Sequence, residues 1–171
     1  MRRLLQMLLF PLILLAVAEV RAEWASPRII RVYPLGAQRG TELELEIAGE
    51  FLANTTAVVF DCKDITWLET TSSSSTQLTG KVSISRDPPL GPHLLRAVTL
   101  DGYSKSALFT VGQFPLLLKK EPNNEIKLAQ PIPHLPIELQ GRLDGASDMD
   151  YFSIQVRAGE HWNFDLRSIE Y

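Results

Sequence analysis

Two short clusters of oxygen-bearing side chains are the part of this sequence best suited to chemistry. The first is Glu121-Pro122-Asn123-Asn124, and the second ends in Asp148-Met149-Asp150. Calcium takes six to eight oxygen ligands from carboxylates, amides, backbone carbonyls and water. Alternate residues of an extended chain point the same way, so Asp148 and Asp150 would share one side. The two clusters could therefore supply several ligands of a calcium site.

The same residues also fit a simpler interpretation. Asn123, Asn124 and Asp148 are of the types that cap turns through side-chain hydrogen bonds to nearby backbone. The chain lacks the Asp-x-Asp-x-Asn-Gly loop with a closing glutamate, so an EF-hand is excluded.

Other residue types that could carry catalysis do not fall in catalytic patterns. His93, His134 and His161 are far apart, and none belongs to a His-Glu-x-x-His motif. The serines of Ser72–Ser75 lack the Gly-x-Ser-x-Gly surroundings of a nucleophile elbow. Cys62 is the single cysteine, so no internal disulfide can form, and a small hydrophobe at a strand end is expected. We predict that this chain is not an enzyme.

The elements that would position these residues read as β-strands. In Thr41–Ile47 leucine and isoleucine alternate with glutamate, which predicts a strand with one buried and one solvated face. About seven such short runs, separated by turns, lie between residues 27 and 112. We predict an all-β chain in which residues 23–113 form an immunoglobulin-like (Ig-like) sandwich that lacks the Cys-Trp-Cys pattern of antibody domains.

Residues 114–171 are predicted to form part of a second, jelly-roll-like β-sandwich. Prolines at 122, 131, 133 and 136 keep the chain extended and disfavour helix. Strands are predicted at Ile137–Gly141, Tyr151–Val156 and His161–Leu166. A tight turn at Arg157–Glu160 would join the last two in a hairpin.

The N-terminus is predicted to be a cleaved signal peptide of residues 1–22. A short basic start precedes the apolar run Leu4–Ala18, which is too short to span a bilayer. Removing this segment changes the net charge from −3 to −5, because three arginines and one glutamate are lost. Cleavage after Ala18 is the alternative. We expect a secreted, periplasmic or cell-surface protein that is not inserted in a membrane after cleavage. No run of basic residues suggests nucleic acid binding.

Three stretches resemble the IPT/TIG-type Ig-like modules of bacterial surface proteins. They are Pro34–Thr41, Ile47–Leu52 and Pro89–Arg96. In those modules a "P-x-G-x-x-G-T" opening precedes a strand, and a "G-x-x-L" turn follows later. The resemblance covers the predicted first sandwich and implies the same fold there.

The acidic clusters resemble the bacterial pre-peptidase C-terminal (PPC) domain, a small β-sandwich of secreted peptidases and surface proteins. The matching residues are Glu121–Asn124, Gly141–Leu143 and Asp148–Phe152. In collagen-binding relatives the equivalent positions bind calcium. The resemblance therefore implies a metal site in this chain, made by Glu121, Asn123, Asn124, Asp148 and Asp150.

Two departures from the PPC pattern stand out. Collagenase relatives carry a second glutamate before the motif, whereas Lys119 and Lys120 stand there in this chain. The stretch after Lys119 is also shorter than such a domain needs, so we expect the chain to be a piece of a longer protein.

Taken together, these patterns predict a non-catalytic exported protein whose modules bind an extracellular protein or polysaccharide, or act as spacers. Trp67 and Trp162 are candidates for stacking on sugars, and core packing is the alternative for both. The competing hypothesis is an accessory N-terminal region of a longer secreted hydrolase or peptidase.

Overall fold

Alternating apolar and polar residues build nine strands in the first part of the computed structural model, which describes residues 26–167. The strands are β1 (Arg28–Tyr33), β2 (Gly36–Gln38), β3 (Glu42–Glu50), β4 (Thr55–Phe60), β5 (Ile65–Ser73), β6 (Gln77–Ile84), β7 (Gly91–Thr99), β8 (Gly102–Tyr103) and β9 (Ala107–Gly112).

These strands form two facing sheets. The first sheet has the order β1-β3-β6-β5, and all its neighbours are antiparallel. The second has the order β2-β9-β7-β4, with β8 beside β7; β2 and β9 run parallel and the other pairs antiparallel. This division of strands between two sheets is that of the immunoglobulin fold. The predicted all-β, Ig-like sandwich is confirmed.

Strand β3 shows how the sequence pattern becomes a buried face. Leu45 and Ile47 are fully buried, whereas Glu42 and Glu44 on the opposite face are exposed. The pleat alone explains the spacing of the glutamates, because successive side chains of a strand point to opposite faces.

The hydrophobic core lies between the two sheets. Phe109 of β9 is fully buried and meets the ring of Phe60 edge-on, with centroids 5.7 Å apart. Every buried hydrophobic side chain of the described residues belongs to this part of the chain: Val32, Ala37, Leu45, Ile47, Leu52, Val58, Ile65, Leu78, Val82, Ile84, Leu95, Ala97, Phe109 and Val111.

The second part of the chain, residues 114–167, has only short strands. They are β10 (Leu116–Leu118), β11 (Gln130–Pro131), β12 (Glu138–Gln140) and β13 (Phe152–Ser153). Strand β10 pairs with β12, and β11 with β13, both in parallel. A single 3₁₀ turn, Ile126–Leu128, separates β10 from β11. Strands β12 and β13 lie within two of the predicted strands.

The predicted C-terminal hairpin is wrong in one half. The turn forms, with the Glu160 N–H donating to the Arg157 carbonyl at 3.2 Å. His161–Leu166, however, is not a strand, and Trp162, Phe164 and Leu166 are 40, 79 and 93% exposed. The alternating pattern needs a neighbouring strand to pair with, and none adjoins it within residues 26–167.

One prediction concerns residues beyond those described, and another concerns the boundary between the modules. The proposed signal peptide of residues 1–22 lies outside residues 26–167. Between residues 26 and 167, no helix has the length and apolar character needed to cross a membrane.

The predicted boundary between residues 113 and 114 falls between β9 and β10, and the division into modules stays a prediction.

Candidate cation site

The candidate site is centred on Lys119, the residue that follows β10. Its backbone N–H donates to the Gln140 carbonyl at 2.8 Å, which extends the pairing of β10 with β12. Its side chain runs past Gly141, where a Cβ would lie 2.9 Å from the Lys119 Cβ. The stem therefore lies against bare backbone, and the side chain is only 5% exposed.

The Lys119 ammonium lies among the three carboxylates of the predicted metal site. Its Nζ is 2.7 Å from Glu121 Oε1, 2.9 Å from Asp150 Oδ1 and 3.0 Å from Asp148 Oδ2. It also donates to the Arg142 carbonyl at 2.5 Å. These are distances of charge-assisted hydrogen bonds. One oxygen from each carboxylate lies within 4.8 Å of the others, so the three acids do form a single cluster.

The two predicted amide ligands act as hydrogen-bond donors in this cluster. With its amide nitrogen toward the carboxylates, Asn123 donates to Glu121 Oε2 at 2.9 Å and to Asp150 Oδ1 at 3.1 Å. Asn124 donates to Asp148 Oδ1 at 3.0 Å and to the Met149 carbonyl at 3.2 Å. Asn123 is fully buried. This amide orientation is assigned from the surrounding acceptors, because a nitrogen facing the acids satisfies both groups whereas an oxygen there would face only other acceptors.

Backbone contacts fix the segments that carry these side chains. The Tyr151 N–H donates to the Asn123 carbonyl at 2.9 Å, which brings the two clusters together. The buried Gln130 amide accepts from the Lys120 N–H at 2.7 Å and donates to the Leu118 carbonyl at 3.0 Å. The Asp144 N–H donates to Asp148 Oδ2 at 2.7 Å. Backbone hydrogen bonds therefore fix both segments that carry the cluster, the one around Asn123 and the one around Asp148.

The charges of the cluster keep Lys119 protonated. Burial is the strongest single influence and lowers its pKa, but hydrogen bonds to Glu121, Asp150 and Asp148 together outweigh burial and raise it. The pKa of Asp148 is lowered, first by the Asp144 N–H and then by Lys119. A lysine that acts as a base or nucleophile needs a lowered pKa, so Lys119 is suited to structure and not to proton transfer.

All five predicted ligands therefore meet, but around a residue that was not among them. The carboxylates of Glu121, Asp148 and Asp150 are of the type that calcium prefers. Their facing oxygens are already satisfied by Lys119 and the amides. Calcium binding stays a prediction, because an ion at this position would have to displace the ammonium.

A small cavity adjoins the cluster where the two parts of the chain meet. It has a volume of about 240 Å³ and is lined by Tyr33, Glu46, Lys119, Glu121, Arg142 and Asp144. Burial raises the pKa of the Tyr33 phenol above its ordinary value of 10.0, against the opposing charges of Arg142 and Lys119. Nearby, Gln140 joins the parts: its Oε1 accepts from the Leu35 N–H at 2.8 Å.

A second surface with binding character lies on the outer face of the second sheet. Leu94 of β7 and Leu108 of β9 stand opposite each other and are 43 and 49% exposed. Val59 stands opposite Arg96, and Tyr103 of β8 is exposed beside them. We call these five residues the outer patch. Within residues 26–167 the Arg96 guanidinium has no ion pair or hydrogen bond. A cavity of about 330 Å³ opens here.

The other residues considered for function have structural surroundings. Trp67 packs against the core, close to Gly80, and its Nε1 donates to Thr70 Oγ1 at 3.1 Å. Cys62 also packs against the core. His93 is buried between Asp61 and the Pro89 carbonyl, whereas His134 is exposed.

Comparison with known proteins gives no family. No family model matches the chain, and no curated protein matches it. Among solved structures, a Bacteroides ovatus mixed-linkage glucan utilization locus protein, SGBP-B, in complex with a mixed-linkage heptasaccharide, is 16% identical over 55% of this chain, with a TM-score of 0.35. The chain covers 24% of that protein. The Lin-41 filamin domain is 11% identical over 51% of this chain and 92% of its own length, with a TM-score of 0.34. The Ig-like assignment rests on the strand order and not on these scores.

Proposed function

We propose that this chain is an exported, non-catalytic binding module that uses the outer patch to hold a segment of another extracellular protein. The observation that carries the proposal is the exposed pair Leu94 and Leu108 next to the unpaired Arg96 on the outer face of the second sheet. The outer face of each sheet in a sandwich is normally polar or covered by another part of a protein. Exposed apolar side chains grouped on one outer face therefore mark a contact surface.

The chemistry of the outer patch favours protein over polysaccharide. Sugars stack on exposed aromatic rings, and Tyr103 is the single ring in the patch; Phe60 also lines the cavity there, but it packs against the core. Aliphatic side chains with an aromatic residue and an arginine are typical of the energetic centre of protein interfaces. Arg96 would pair with a carboxylate of the partner, since it has none of its own.

The remaining features support the same proposal. The resemblances to IPT/TIG-type and PPC modules are resemblances to surface and secreted β-sandwiches, and residues 1–22 have the pattern of an export signal. Lys119 is held among three carboxylates as a charged structural group.

The test is selection of peptides from a random display library against the full chain, followed by binding to variants. We expect the selected peptides to combine apolar residues with an acidic one. Leu94→Glu and Arg96→Glu should each weaken their binding by at least tenfold. Thr66→Glu, on the solvent face of the first sheet, is the matched control and should leave binding unchanged.

Two outcomes would contradict the proposal. One is a set of peptides that bind the Leu94→Glu and Thr66→Glu variants equally well. The other is retention of the chain on a soluble polysaccharide panel in a way that Leu94→Glu abolishes, which would assign the outer patch to carbohydrate.

A further inference from the structure

The second part of the chain lacks the buried hydrophobic side chains that usually stabilise a domain. Within residues 114–167 no hydrophobic side chain is fully buried; the buried residues are Asn123, Gln130 and Gln140. The Lys119 side chain is buried with them. Each of these four groups is polar, so the centre of this part is a hydrogen-bonded network and not an apolar core.

The cluster has the geometry of a cation site whose cation is the protein's own. Three carboxylates and one backbone carbonyl converge on Lys119 Nζ at 2.5–3.0 Å, as oxygens converge on a bound ion. Three carboxylates facing each other without a cation between them would repel, most strongly at Asp148 and Asp150, which are less exposed than Glu121. Lys119 supplies the required positive charge from within the chain.

The remaining acceptors are also satisfied by the protein. Glu121 Oε2 accepts from the Asn123 backbone N–H at 2.9 Å, and Asp148 Oδ2 accepts from the Asp144 N–H at 2.7 Å. For a divalent ion to enter, the ammonium would have to leave and both asparagine amides would have to rotate to present oxygen. Placing the ion beside the ammonium would bring two cations together.

We propose that Lys119 is the resident cation of this cluster, so that the chain folds and keeps its structure without a divalent metal. The sequence pattern of a calcium site is present, but its central position is filled by a tethered ammonium. Removing the Lys119 charge should leave an acidic cage of Glu121, Asp148 and Asp150 that takes up a hard divalent cation.

The experiment compares thermal unfolding of the full chain and of Lys119→Met with calcium chloride at millimolar concentration or with chelator. We expect the melting temperature of the unaltered chain to be the same in both. Lys119→Met should melt roughly 5–15 °C lower in chelator, because it leaves the largely buried carboxylates of Asp148 and Asp150 without their cation. Calcium should restore most of that loss, since a ligand that binds only the folded state stabilises it.

A second readout and two further variants keep the result interpretable. Calorimetric titration with calcium should give heat of binding for Lys119→Met and none for the unaltered chain. If Lys119→Met does not fold in chelator, the double variant Lys119→Met with Asp150→Asn lowers the repulsion and should fold with a weakened calcium response. Lys81→Met, at an exposed ion pair with Glu69 on the first sheet, is the control and should not respond to calcium.

Calcium stabilisation of the unaltered chain, or loss of its structure in chelator, would overturn the proposal and establish the metal site that the sequence predicts. A Lys119→Met variant that melts at the same temperature as the unaltered chain, with or without calcium, would overturn it as well. Both results are independent of the outer patch, which lies on the second sheet.

Discussion

At the residue scale, the buried position of Lys119 depends on a neighbour without a side chain. An alanine Cβ at residue 141 would lie 2.9 Å from the Lys119 Cβ and 3.1 Å from its Cδ. We therefore expect Gly141→Ala to destabilise the protein by about 1–3 kcal/mol, as overpacking does elsewhere. Chemical denaturation followed by far-ultraviolet circular dichroism measures this.

Gly145 offers the matched control for that substitution. It lies in the loop of the same cluster, but a Cβ there would meet no atom within 4 Å. Gly145→Ala should change the free energy of unfolding by less than about 1 kcal/mol. Equal effects of the two substitutions would contradict the contact between Gly141 and the lysine stem.

Tyr33 predicts a change of stability at high pH. Its pKa is raised in the folded protein, chiefly by burial, so the neutral phenol favours folding. This contribution is fully present below pH 10 and is lost as the pH rises through the folded-state pKa. Between about pH 10 and 12, the unaltered chain should therefore lose more stability than Tyr33→Phe.

Tyr103→Phe is the control, because the Tyr103 ring is exposed on the outer patch. Its stability should follow that of the unaltered chain across the same range. Urea unfolding at each pH gives the comparison. A Tyr33→Phe variant with an alkaline loss as large as that of the unaltered chain would show that the phenol is ionised without cost.

The sequence predicted which oxygens of the site meet, but not what they surround. Glu121, Asp148 and Asp150 were identifiable from their types and from the resemblance to PPC domains. Lys119 was visible only as a departure from that pattern. Its role depends on where the side chain points, which is decided by the pairing of β10 with β12 and by Gly141. The positive charge of Lys119 was the signal available in the sequence. A lysine next to a set of acidic residues can take the place of a bound cation as well as repel one.

At the element scale, Gln140 of β12 joins the two parts of the chain. Its Oε1 accepts from the Leu35 N–H, and its Nε2 donates to Glu138 Oε1 at 2.6 Å. Gln140→Met keeps the size of the side chain but removes these two hydrogen bonds and a third, from Nε2 to the Gly36 carbonyl at 3.4 Å. We expect a loss of about 1–3 kcal/mol in the free energy of unfolding, because the Leu35 N–H is left without its acceptor.

Amide hydrogen exchange distinguishes this loss from a general one. The Leu35 amide should exchange faster in Gln140→Met, while amides of β6 keep their relative order. Gln155→Ala, at an exposed position of the second part, should leave the Leu35 amide unchanged. Unaltered exchange at Leu35 in Gln140→Met would contradict the bond.

Long antiparallel strands were predictable from the sequence, and short parallel ones were not. The alternation in Thr41–Ile47 spans several pleats, so β3 and its buried face follow from the spacing. Strands β11 and β13 have two residues each, too few for any period to show. The run His161–Leu166 shows the reverse error, since alternation indicates a strand only where a partner strand pairs with it.

At the scale of the whole molecule, the two parts differ in what stabilises them. Residues 32–111 hold all the buried hydrophobic side chains of the described chain, as the predicted Ig-like module requires. Residues 114–167 depend on polar contacts instead. Composition over 171 residues averages these parts and so could not distinguish them.

Export gives a prediction for the N-terminus of the secreted protein. If residues 1–22 are removed as a signal peptide, the protein recovered from a secreting host should begin at Glu23. Intact-mass measurement checks this directly. Replacing the small residue before the cut, as in Ala22→Arg, should slow processing. A product that retains Met1 would contradict the signal peptide, and one that begins at Glu19 would indicate the earlier cut after Ala18.

The parallel pairing of β2 with β9 has a mechanical consequence. These strands lie near the beginning and the end of the Ig-like module, and Gly36–Gln38 is registered against Thr110–Gly112. Tension applied along the chain would draw the start of β2 and the end of β9 in opposite directions along the strands. The backbone hydrogen bonds between the two strands would then be loaded in shear. All of them would be strained at the same time, and they would not break one after another. The module should therefore resist stretching most strongly where β2 pairs with β9.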